Sequence, residues 1–145
     1  MQPNARRWIY IALAYFCVAV SIGCWMGATQ QFAFAPLHAH INLLGWVTMT
    51  LTGLIYHHFP AAANNRLAQI HFWGYNALVP VMMVSLGLLL AGHTEVEPLL
   101  GMTSVATLSL IVLFAINVWR NGAIATATDG LSARPAATGA DAPQA

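Results

Sequence analysis

Four stretches of this chain, residues 8–28, 37–59, 67–92 and 99–119, contain no Asp, Glu, Lys or Arg. A bilayer core about 30 Å thick takes roughly 20 apolar residues in a helix, so each stretch is long enough to cross. In hydrocarbon the backbone must satisfy its own hydrogen bonds, and a run of this length does so as a helix. The connections at 29–36, 60–66 and 93–98 leave no room for another domain. Short connections make consecutive helices antiparallel neighbours. The expected fold is all-α: an integral membrane four-helix bundle, up-down-up-down, over residues 1–120. Residues 121–145, Ala-rich with Pro135 and Pro143, are expected to be a disordered tail.

Composition excludes the soluble alternatives. Of 145 residues, 59% are apolar and 6% charged, with no Lys and only four acidic residues. A soluble domain carries about 25% charged residues, so a soluble enzyme or a basic nucleic-acid binder is ruled out. Cys17 and Cys24 lie inside the first stretch and read as packing residues rather than a disulfide frame or metal motif.

The arginines set a direction. Arg6 and Arg7 precede the first span, Arg66 joins the second to the third, and Arg120 and Arg134 follow the fourth. With four spans, all these segments face one side, whereas the opposite loops hold only Glu95 and Glu97. This asymmetry predicts both termini in the cytoplasm and a bacterial inner-membrane location. The first apolar run exceeds a signal-peptide core, which predicts a retained anchor. Trp8, Trp46, Trp73 and Trp119 lie near span ends and are expected in the aromatic belts.

Six histidines stand out among so few ionisable groups. In an antiparallel hairpin, residues at one depth have position numbers of constant sum. That places His57, His58 and His71 at the cytoplasmic rim and His38, His40 and His93 at the outer rim. At about 100° per residue, His38, Asn42, Gly45, Met49, Thr52 and Tyr56 share one small, polar stripe of the second helix. His40 falls opposite, with Leu44, Val47, Leu51, Leu54 and His58, on the face that suits lipid. On the third helix His71, Tyr75, Leu78, Met82 and Ser85 share a side, and Pro80 is expected to spoil the phase beyond. Gly45 and Gly53 suit close helix packing. Histidine in a bundle core is a usual axial ligand of heme iron. His38 could pair with His93 in one chain, or with its own copy in a homodimer. A zinc or copper site from His38, His40, His93 and Glu95 suffers because His38 and His40 point apart. A single His at a span end is more often interfacial than a ligand, which is the expectation for His57 and His58.

Pro36-Leu37-His38, with Asn42, Gly45-Trp46, Gly53, Tyr56 and Pro60, resembles the second span of the catalytic subunit of heme-copper oxidases. The similarity is to the C-type oxidases and the related nitric oxide reductases. Arg66-Leu67-Ala68 and Phe72-Trp73-Gly74-Tyr75 look like the opening of the third span there. The resemblance implies that His38 is an axial ligand of a heme b. A register slip of two, on the nitric oxide reductase pattern, gives that role to His40. The family subunit is much longer, and its later helices supply the other heme ligand, the copper histidines and the catalytic heme's histidine. This chain is therefore not expected to be a self-sufficient oxidase or reductase.

The resulting expectation is a membrane cytochrome of b type holding heme through His38, with His93 or another copy completing the iron, for electron transfer or gas binding in respiration. The alternative is a cofactor-free accessory or assembly subunit of a respiratory oxidase. A metal or proton conduit is a third, weakened by the lack of carboxylates between the two histidine layers.

Overall fold

The computed structural model describes residues 3–122. Those residues form helices α1 (Pro3–Thr29), α2 (Ala35–His40), α3 (Met49–His58), α4 (Pro60–Ala63), α5 (Arg66–Leu90) and α6 (Glu97–Asn121), with no strand among them. A π-helical segment, π1 (Ile41–Thr48), joins α2 to α3 without leaving the helical region of the backbone. Three helices are long and apolar enough to cross a membrane: Ala5–Thr29, Arg66–Leu90 and Thr94–Asn121. The expected second span is the composite rod α2–π1–α3. The tail expected to be disordered lies outside the described residues, apart from the end of α6 and Gly122.

Close approaches between helices follow from small residues. A side chain at Gly45 would collide with Tyr15, and one at Gly53 would come within 2.9 Å of Ile9 and 3.0 Å of the Ala5 carbonyl oxygen. At the other end of α1, Gly23 faces His38. Position numbers fall along one rod as they rise along the other, so α1 and α2–π1–α3 run antiparallel. Leu110 packs on Gly74, Phe114 on His71, and Ser104 donates to Met82 Sδ at 3.4 Å. Those pairs make α5 and α6 antiparallel too.

The inward stripe of the second rod is present, with one shift. Gly45, Met49, Thr52 and Tyr56 are buried, but Ile41 rather than Asn42 precedes them in the core. A step of four residues from Ile41 to Gly45 to Met49 belongs to the wider π turns. Widened turns strain the main-chain ladder, and hydroxyls assist it: Thr48 donates to the Leu43 carbonyl at 2.7 Å and Tyr75 to the Leu44 carbonyl at 3.1 Å. On α5 the inward face runs His71, Tyr75, Val79, Met82 and Ser85, with Val79 buried where Leu78 was expected and Leu78 only half-buried. Pro80 was expected to break this phase. It does not, because α5 continues through it and Pro80 itself faces outward.

Two expectations from span position need correcting. Trp8 is not an aromatic-belt residue: it is 1% exposed and lies against Tyr56, His71, Phe72 and Tyr75. Trp73 and Trp119, at 69% and 92% exposed, keep the outward placing. Cys17 and Cys24 are exposed on the outer face of α1 and so do not fill the core.

Candidate functional site

His38 sits on the last turn of α2, half-buried between α1 and Asn42. Its Nδ1 lies 3.0 Å from the Ala19 carbonyl oxygen, so Nδ1 carries the proton and donates. Nε2 is then the lone-pair nitrogen, the tautomer a metal-bound imidazole needs, with its orientation fixed by the carbonyl. Asn42 sits one turn on, its Nδ2 3.3 Å from Nε2 and 2.9 Å from the His38 carbonyl oxygen. The ring edge rests on Gly23, where an added Cβ would stand 2.9 Å from Cε1. Only glycine leaves that space.

His40 points away, as its stripe predicted, and is exposed. Its Nδ1 donates to the Pro36 carbonyl at 2.7 Å. It borders a groove of about 200 Å³ with Leu44, Met82, Ser104 and Thr107. That volume is below the roughly 300–1,000 Å³ of small-molecule sites. His93 follows α5, its side chain 56% exposed and its Nδ1 3.1 Å from Glu95 Oε1. It is engaged there and not with His38. Among the described residues no group of three or more His, Cys, Asp or Glu converges as a metal site. The four-ligand zinc or copper arrangement is thus not formed.

The buried histidine is His71, which the depth arithmetic grouped with His57 and His58 at the rim. His71 is 2% exposed. It stacks on Phe114 with ring centroids 5.0 Å apart and lies 4.9 Å from Trp8. His57 and His58 are exposed and lie against each other. Asn117 Nδ2 donates to the Tyr56 hydroxyl at 3.4 Å and to the Ala62 carbonyl at 2.9 Å. The Tyr56 hydroxyl in turn shares a hydrogen bond with His71 Nδ1 at 3.3 Å. The Asn117 Oδ1 accepts from Asn65 at 2.6 Å and from Asn121 at 3.0 Å. This network ties α3, the α4 turn, α5 and α6 at one end of the molecule. The flanking rings leave His71 no room for a macrocycle, so it is a packed and hydrogen-bonded core histidine. Asn117, the one amide in the apolar stretch 99–119, is the sequence signal that the reading passed over.

No protein-family model matches the chain, and neither the curated proteins nor the solved structures contain a match.

Proposed function

We propose that this chain is a four-helix inner-membrane protein, up-down-up-down with both termini cytoplasmic, that binds heme b through His38. Antiparallel packing within both helix pairs supports the topology, and arginines confined to one set of segments support the orientation. The heme assignment takes its cofactor from the resemblance of residues 36–75 to heme-copper oxidases. The single observation that carries it is the hydrogen bond from His38 Nδ1 to the Ala19 carbonyl, which leaves Nε2 as the ligating atom.

The donor set fits a heme in part. His38 has the required tautomer, and Asn42, whose Nδ2 is within 3.3 Å of Nε2, must turn aside. A second imidazole is not beside it, since His93 pairs with Glu95 and His40 faces away. If heme binds at His38, a second ligand would have to come from a second copy of the chain, a respiratory partner or a gas. Bound heme supplies one-electron transfer when both positions are filled, and gas binding when one is open. Reduced-minus-oxidised spectra of protein purified with heme supplied, wild type against His38→Ala, test this. A Soret band lost in the variant is the expected result, and its absence from the wild type refutes the assignment.

One observation favours a second reading, the cofactor-free accessory or assembly subunit of a respiratory oxidase. Both ring nitrogens of His38 have partners inside the chain, as a purely structural histidine requires. Co-purification with an oxidase, without heme and unaffected by His38→Ala, is the outcome that selects it.

A further inference from the structure

We infer that the groove between α1 and α5 at the Arg7 end binds an anionic phospholipid, with its phosphate on the Arg7 guanidinium and an acyl chain along Ile11 and Phe72. The inference rests on the membrane assignment and is independent of heme.

The groove is lined by Arg7, Tyr10, Ile11, Phe72, Trp73 and Asn76 and is an open trough of about 500 Å³, suited to a ligand that keeps one side in the surrounding lipid. Its walls are almost wholly apolar, because the Asn76 amide is turned onto the Phe72 carbonyl at 2.7 Å. Arg7 has no hydrogen-bond or ion-pair partner among the described residues. The carboxylates among them, Glu95 and Glu97, lie at the opposite ends of α5 and α6. An unpaired guanidinium over an apolar slot is complementary to an anion that carries its own hydrocarbon. Free phosphate satisfies the first requirement only.

Two further features place the ligand in the headgroup region. Tyr10 and Trp73 are 63% and 69% exposed at the same mouth, and aromatic rings of this kind favour the membrane–water interface. Basic pockets between helices on the cytoplasmic side are a known solution for acidic headgroups. A second groove, bounded by α1, α5 and the α2–π1 part of the second rod, makes the comparison. It is lined by Tyr15, Val18, Leu37, Ile41, Met83 and Val84 among others, encloses about 390 Å³ and bears no charge. A chain of any lipid suits it, so discrimination between headgroups resides at Arg7.

The test is native mass spectrometry of the full chain released from detergent, titrated with phosphatidylglycerol or phosphatidylcholine of identical chains. The wild type should favour phosphatidylglycerol by about fivefold, the effect of roughly one basic side chain near the surface. Arg7→Gln should remove that preference, Arg7→Lys should retain most of it, and Arg6→Gln, outside the groove, should leave it unchanged. Millimolar inorganic phosphate should not displace the lipid. Preference that survives Arg7→Gln, equal losses in Arg6→Gln and Arg7→Gln, or displacement by free phosphate each overturns the proposal. None of these outcomes bears on the heme spectrum, so the two assignments fail separately.

Discussion

Tyr75 of α5 donates its hydroxyl to the main-chain carbonyl of Leu44, 3.1 Å away in the π-helical segment of the neighbouring rod. The contact matters because π turns weaken the regular ladder and persist where something outside it compensates. It joins a side chain of one helix to the backbone of another at the position where the second rod is least regular. Tyr75→Phe removes only the hydroxyl. The expected cost is about 0.5–1.5 kcal/mol, the net worth of a typical hydrogen bond. Denaturant titration in micelles measures it, and faster amide exchange confined to residues 41–48 locates it.

His71 and His38 should separate cleanly in substitution experiments. His71 is enclosed by Trp8, Tyr56 and Phe114, so His71→Ala opens a cavity and should cost roughly 2–5 kcal/mol, as large-to-small core changes do. His71→Phe keeps the stacked ring and forfeits the Tyr56 hydrogen bond, and should cost less than His71→Ala. Neither change should alter a heme spectrum per mole of folded protein, whereas His38→Ala should abolish it. A spectrum lost in His71→Phe with the fold intact contradicts a packing role for His71.

Asn117 is the knot of the hydrogen-bond network at the Arg66 end of the molecule, with Tyr56, Ala62, Asn65 and Asn121 as partners. Asn117→Leu strands the buried Ala62 carbonyl and removes the acceptor for two amides. A loss of about 1–3 kcal/mol is expected, the penalty for leaving a buried polar group unpaired. Thermal unfolding of the variant in micelles reads it. Asn121→Ala, which deletes one peripheral donor, should cost clearly less.

The second rod shows what a sequence can and cannot convey here. Gly45, Met49, Thr52 and Tyr56 were legible as its inner face because apolar helices keep a period near 100° per residue, and all four are buried. Ile41 was not, since nothing in Ile41–Thr48 is particular to a π turn: its glycine, asparagine and β-branched residues occur in α-helical spans as well, and the compensating hydroxyl of Tyr75 comes from α5. Depth arithmetic put His57 and His58 level with His71, but the side chain of that rod that touches His71 is the neighbouring Tyr56. The same arithmetic gives height without direction, which is why His71 reads as a rim residue though it faces inward. Trp8, read as an interface anchor from its place near a span end, is buried for the same lack of direction. His38 and His40 were separated by stripe alone, and the structure turns them to opposite sides.

Gly23 and Gly27 lie one turn apart on α1 and predict opposite outcomes. At Gly23 an added methyl would stand 2.9 Å from His38 Cε1, tighter than real side chains pack, and the neighbour in its path is an imidazole already tethered to Ala19. Relief requires the ring to move, which lengthens the Nδ1 hydrogen bond and re-aims Nε2. At Gly27 the same methyl meets nothing within 4 Å. Gly23→Ala should therefore lower the heme-to-protein ratio or shift the Soret band while leaving helix content unchanged. Gly27→Ala should match the wild type in both. Equal behaviour of the two variants, with heme bound in each, means that iron ligation does not depend on the seating of His38 against α1, and His40 then becomes the ligand to substitute.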